Sequence, residues 1–206
     1  YHFAGCQHSV GVFPPETVRA SDGLKGQLLF NAVDYRPLLR AALINLDRWV
    51  SGVEDAPPSR HPGLDQGTAV ESHTLRDKLA EVPGATLPPE VTRAMRLDYG
   101  PETHLGKTVK LPAEQGQEYP ALVSDVDEDG NEIAGIRLPD ISVPLATHSG
   151  WNLRHPDIGN PGLVIGITGG LAGWTVPFAG TRALRKAVGD RRPSIEERYE
   201  SKDDYL

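Results

Sequence analysis

The sequence is short of several things, and each shortage closes a class of function. Its one cysteine, Cys6, excludes an internal disulfide and says little about compartment. No stretch reaches the ~20 apolar residues of a membrane span. The longest weakly polar run, Gly159–Ala179, is broken by glycines and prolines. Basic residues are outnumbered 21 to 28 by acidic ones, giving a net charge of −7. Phosphate recognition needs a basic face, so no nucleic-acid partner is expected. There is no Cys-x-x-Cys and no His-x-x-x-His, so the seven histidines offer no helical metal pair. His148 and His155 are too loosely spaced to count as one. Gly166-Ile167-Thr168-Gly169-Gly170 lacks the Lys-Ser/Thr of a phosphate loop. No serine has glycine two before and two after, so the nucleophile elbow Gly-x-Ser-x-Gly is missing.

What remains is an ordinary globular composition, 38% hydrophobic and 24% charged, long enough at 206 residues for one core or two small lobes. The acidic clusters Asp125–Asp129 and Glu196–Asp204 read as solvated surface. Tyr1–Gly5 reads as a short buried strand, followed by a loop to residue 32. The spacing of Leu39, Leu43, Leu46 and Val50 predicts a helix over 36–51, with Asp34 as N-cap, Pro37 in the first turn and Gly52 past the end. Leu38, Ala42 and Trp49 widen its face, which is expected to pack on a sheet. Pro57-Pro58, Pro83-Gly84 and Pro88-Pro89 punctuate the next stretch. Tyr119–Val126 and Glu132–Leu138 are strand-like around the turn signal Asp129-Gly130. Pro177–Val188 predicts a second helix, with Leu184 and Val188 inward and Gly189 as cap. Ser194-Ile195-Glu196-Glu197 is a capping box opening a helix whose stripe is Ile195, Tyr199 and Leu206. The chain starts in a strand and stops inside a helix. It is therefore expected to be a piece of something longer, or a processed chain with a partner.

The segment with most chemical content is Ala4-Gly5-Cys6-Gln7-His8. A strand running into Gly and then His puts an imidazole at the sheet edge where α/β proteins hold their chemistry. The competing reading is a histidine that only caps a strand. Cys6 and His8 invite a thiolate–imidazole pair, but nucleophile and base normally come from distant positions. Asp125-Val126-Asp127-Glu128-Asp129-Gly130 imitates the start of a calcium loop, yet Ile136 stands where the bidentate Glu belongs, and a hairpin turn is the simpler reading. Trp151 and Asn152, in a Gly/Pro-flanked loop, are candidates to line a pocket. The alternative for them is a loop anchored by a buried indole.

Several segments occur in a specific order: His2-Phe3-Ala4-Gly5-Cys6-Gln7-His8, Arg36-Pro37-Leu38-Leu39-Arg40-Ala41, Leu46-Asp47-Arg48-Trp49-Val50, Pro57-Pro58-Ser59-Arg60, Arg137-Leu138-Pro139-Asp140-Ile141, Val143-Pro144-Leu145-Ala146-Thr147, Gly150-Trp151-Asn152-Leu153-Arg154 and Ser194-Ile195-Glu196-Glu197-Arg198-Tyr199. In that order they resemble the C-terminal half of a bacterial family of alpha/beta hydrolase domain-containing proteins. The resemblance implies an α/β fold: the C-terminal portion of an α/β-hydrolase with a β-containing insertion. It divides the chain into 1–55 (end of the hydrolase core), 56–138 (insertion with a hairpin) and 139–206 (return to the core). It implies that His8 is the general base of a serine hydrolase acting on an ester or related acyl bond. Cys6 stands where that family more usually has a small hydroxyl residue.

Triad order in this fold is serine, acid, histidine. The resemblance thus puts the nucleophile in an upstream half or a companion chain, with the acid and oxyanion hole. Gln7, Trp151 and Asn152 are the candidate substrate-binding residues, and no cofactor or metal is implied. The alternative function is a non-catalytic binding or structural lobe of a larger assembly.

Overall fold

The structure, a computed structural model, describes residues 1–85, 87–89, 93–166 and 171–205. In chain order its elements are β1 (Val18–Arg19), β2 (Leu24–Lys25), α1 (Arg36–Val50), β3 (Ala69–Val70), α2 (Ser72–Leu79), β4 (Met95–Asp98), β5 (Glu114–Glu118), β6 (Val123–Ser124), α3 (Pro139–Ser142), β7 (Ala146–Ser149), β8 (Trp174–Pro177), α4 (Arg182–Val188), α5 (Ile195–Arg198) and α6 (Lys202–Tyr205). The strands pair as antiparallel twos: β1 with β2, β3 with β6, β4 with β5, and β7 with β8. No helix among the described residues is long and apolar enough to cross a membrane.

The chain divides into two compact units, Tyr1–Pro89 with Val123–Leu206, and Glu90–Leu122. The separate unit is narrower than the insertion expected at 56–138. Leu75, Leu79, Val82, Leu87 and Val126 explain the difference, because they build a core with Trp174, Leu28 and Val176 and so belong to the larger unit. The smaller unit holds the β4–β5 hairpin, irregular between Met95 and Leu97. Lys110 there bridges Asp98 and Glu114.

In the larger unit, β7 and β8 run in register from Ala146↔Pro177 to Ser149↔Trp174. Phe30 bridges to Trp174 on its other side. A second apolar cluster joins Ala4, Val33, Leu138 and Ile141, with Cys6, Tyr35 and Leu38 against it. The expected strand at Tyr1–Gly5 is reduced to one parallel bridge, Phe3 to Ile136, with Ala4 buried behind it. Gly5 then turns the chain with a φ of +64°, and a Cβ there would sit 2.5 Å from Ile141 Cδ1. Only glycine fits both demands.

The helix over 36–50 forms as its spacing predicts, with Pro37 in its first turn and Gly52 beyond its end. Tyr35 rather than Asp34 is its N-cap, and Asp34 Oδ1 accepts from the Arg36 amide. Its orientation differs from expectation. Leu39 (49%), Leu43 (67%) and Leu46 (49%) are exposed, as are Trp49 and Val50, and no residue of the helix is fully buried. Leu38, Ala42 and Asn45 are its half-buried side. Asn45 Nδ2 donates to the Tyr1 hydroxyl there. Periodicity fixes which residues share a face, not what lies against it.

The same correction applies to Leu184 and Val188 of α4, both exposed. That helix is capped by Thr181 and by Gly189 in the left-handed region. The Asp129-Gly130 turn forms, with Asp127 N donating to Asn131 O and a single bridge between Val126 and Glu132. Its outer strand pairs elsewhere, β6 with β3. The capping box of Ser194 and Glu197 forms with both reciprocal bonds, but α5 is one turn long and ends at Tyr199. Leu206 lies outside the described residues, as does the glycine-rich stretch after Gly166 up to residue 170.

Candidate active site: the His8 loop and its cleft

The loop carrying His8 has little regular structure, yet its neighbours are held on every side. Glu132 Oε2 accepts from the Gly5 amide at 2.9 Å and from the His2 ring at 3.1 Å. That contact raises the His2 pKa against the opposing effect of burial. Asn31 Nδ2 donates to Gly5 O at 2.6 Å and to Ser149 O at 2.8 Å, while its Oδ1 accepts from Val33 N at 2.7 Å. Gln7 Oε1 accepts from Gly173 N at 2.6 Å, and Gln7 Nε2 donates to Ser9 Oγ. Ser9 Oγ in turn donates to Leu171 O. The Tyr35 hydroxyl donates to His8 O, and Gly11 N to Val33 O. Against this, the His8 side chain is exposed, and its ring has no hydrogen bond or ion pair among the described residues. The backbone beneath the imidazole is fixed while both ring nitrogens stay available.

Gln7 and Ser9, on either side of His8, line a cleft of about 270 Å³. Val10, Val12, Pro14, Val18, Phe30 and Ala172 give it apolar walls. Glu16 and Arg19 also line it. The Arg19 guanidinium is engaged by Asp22, whereas the Glu16 carboxylate has no partner among the described residues. Asn31 lies on the lining too. The sequence did not signal this cleft, because its lining comes from three separate segments, 7–20, 30–31 and 172, with no shared periodicity.

The other candidates fall elsewhere. Asn152 is 1% exposed, and its amide is taken up by Leu28 O at 3.0 Å, Gly173 O at 3.3 Å and Leu28 N. Trp151 stacks edge-on against Trp174 at 6.0 Å, which anchors its loop to the core. Neither lines the cleft. Ser149 is buried at the end of β7, and its hydroxyl closes a local turn, accepting from Trp151 N at 3.1 Å. Burial pushes the Cys6 thiol up to about 12, with Glu132 and Asp140 adding to the shift, so it carries no useful thiolate near neutral pH.

Burial likewise lowers the His148 imidazole to about 4. The Thr175 hydroxyl accepts from Ala32 N and is paired with His148 Nδ1 at 2.9 Å. His155 Nδ1 accepts from Asp157 N. The carboxylates of the calcium-like turn are also engaged. Asp127 Oδ1 holds two backbone amides of its own turn. Asp125 pairs with Lys78 and Asp129 with Arg198. No group of three or more potential metal ligands occurs among the described residues.

A fixed backbone and an available imidazole are what a general base needs, although the His8 side chain is not itself on the lining of the cleft. No curated protein and no solved structure matches the chain. A family described as alpha/beta hydrolase domain matches it over residues 1–206. The chain therefore belongs to the alpha/beta hydrolase domain family.

Proposed function

We propose that the chain contributes His8, as general base, to a serine-type hydrolase that cleaves an ester or related acyl bond, with the nucleophile supplied from outside these 206 residues. The observation that carries the reading is the exposed, unpartnered His8 ring on a backbone anchored through Gly5, Gln7, Ser9 and Tyr35. A general base must reach its nucleophile within about 2.6–3.2 Å, so it must be presented and not consumed by its own fold. The other side chains with nucleophilic chemistry near it are occupied or inert: Ser149 in its turn, Cys6 by its raised pKa.

In the reaction, His8 takes the proton of the serine hydroxyl as the serine attacks the acyl carbon. It then returns that proton to the leaving oxygen. Water repeats the cycle to release the acid. Gln7, tied to Gly173, holds the loop in place.

The test is hydrolysis of a short-chain aryl ester by three samples: the chain alone, the chain with a serine-bearing chain or segment, and that assembly with His8→Ala. The chain alone is expected to be inactive. The assembly is expected to turn over, and His8→Ala to lower turnover by roughly three orders of magnitude or more, since members of a triad act as a unit. Activity of the chain alone would point to Ser149 or Cys6. Full activity of the His8→Ala assembly would leave a non-catalytic lobe.

A further inference from the structure

Helix α1 turns its apolar stripe to solvent, and nothing in the chain's own fold uses it. Leu39, Leu43, Leu46 and Val50 follow at alternating steps of four and three, so they share one face. Each is about half exposed or more, and so is Trp49 beside them. Each of these side chains leaves on the order of 100 Å² open, which matches the largest patch on an ordinary monomer, ~300–600 Å² and often functional. Arg40 and Asp47 flank the stripe, and neither side chain has a hydrogen bond or ion pair among the described residues. An apolar centre with a charged rim is the anatomy of a protein interface. From Trp49 round to Leu43 the face spans more than ~100°, the width a helix turns to a core and wider than the seam of two paired helices. Yet the sheets among the described residues are pairs of strands, and none covers it.

The helix is fastened to the His8 loop. Tyr35, its N-cap, donates its hydroxyl to His8 O. Leu38 packs on the cluster of Ala4, Val33 and Ile141. From Tyr35 a file of rings runs to Phe3 at 6.0 Å and on to Tyr1 at 6.4 Å, and the Tyr1 hydroxyl accepts from Asn45 Nδ2. A serine brought within about 2.6–3.2 Å of His8 arrives with a body attached. A stable contact between two protein bodies takes about 800 Å² from each. The α1 face can give a large share of that area. Resting on the reading of His8 as general base, we propose that the exposed face of α1 is the seat of the serine-bearing body, which lays an apolar sheet face on it. A second copy of this chain brings no elbow serine, so a homodimer through this face would leave His8 unserved.

The serine-bearing chain or segment of the ester assay is the probe, and its association with the 206-residue chain is the readout. Leu43→Asp and Leu46→Asp are at exposed positions, so both variants should unfold as the wild type does. Each should weaken association about hundredfold or more, because a charge then enters a desolvated apolar contact. Leu43→Cys gives a second reading. Its alkylation at mildly alkaline pH should be fast in the chain alone and at least about tenfold slower in the assembly. The wild-type chain is the control, since its Cys6 thiol is partly buried and pushed up to about 12.

His8→Ala should associate as the wild type does. Association intact but turnover indifferent to His8→Ala would strike the general-base reading alone. Association and turnover unchanged in both aspartate variants would strike the docking reading alone. An alkylation rate at Leu43→Cys that the probe leaves unchanged would overturn it too. So would a wild-type chain that ignores the probe, whether it stays monomeric or pairs with itself through α1.

Discussion

Two neighbouring stretches of the chain, the loop over residues 4–11 and helix α1, are opposites. The helix has the clearest sequence pattern in the molecule and buries almost none of it. Leu39, Leu43, Leu46 and Trp49 stand in solvent in this chain. The loop has no periodicity at all, yet Ala4, Gly5, Gln7 and Gly11 are buried, its backbone is bonded to residues 31–35 and 132–136, and the Gln7 side chain is bonded to Gly173. The comparison teaches where order comes from. The helix satisfies its own backbone and needs little from the rest of the chain. The loop cannot satisfy itself, so side chains such as Asn31 and Glu132 do it instead. That arrangement also keeps the His8 backbone still without spending the His8 ring.

The largest expected effect breaks the loop side. Asn31→Ala removes three bonds to buried backbone groups, at Gly5, Ser149 and Val33. Each orphaned group costs ~1–3 kcal/mol, so the loss in denaturant unfolding should be at least about 3 kcal/mol. A loss below about 1 kcal/mol would show that the loop does not depend on this amide.

Next comes pH. His148, packed beneath Gly5, has a folded pKa lowered to about 4 from an ordinary 6.5. The unfolded chain protonates this residue first. Its contribution is thus fully present above pH 6.5 and is lost as pH falls toward about 4. Across that window about 3 kcal/mol should disappear. The slope is read as the difference between the wild-type chain and His148→Asn in unfolding at stepped pH. Equal slopes in the two proteins would refute it.

The smallest effect sharpens the helix side. Leu43 is 67% exposed, so Leu43→Ala should change the stability of the chain by no more than about 0.5 kcal/mol, the range of surface positions. A loss of ~2–5 kcal/mol, the range of buried leucines, would mean that something covers this face in solution.

The candidate site was legible in part. His8 stands out because Gly5 and the strand-like residues before it mark a chain turning at an edge. The cleft was not legible, because Val10, Phe30 and Ala172 come together only through the bridges at Trp174 and the bonds of Gln7 and Asn31. Asn152 and Trp151 looked like pocket residues from composition. Which polar groups a core consumes depends on the backbone that comes to rest against them, here Leu28 and Gly173.

What the sequence determined by itself was local. It set the extent of α1, its proline entry and glycine exit, the Asp129-Gly130 turn, the Gly189 cap and the Ser194–Glu197 box. Each rests on hydrogen bonds or dihedral preferences within a few residues, so neighbouring residue types suffice to specify it. The tertiary structure alone decided which face of α1 is half-buried, which strand β6 pairs with, how small the separate unit is, and that Cys6 and His148 are inert while His8 is free. Those outcomes depend on burial and on partners many residues away, and burial is a property of the packed chain that no short window of sequence contains.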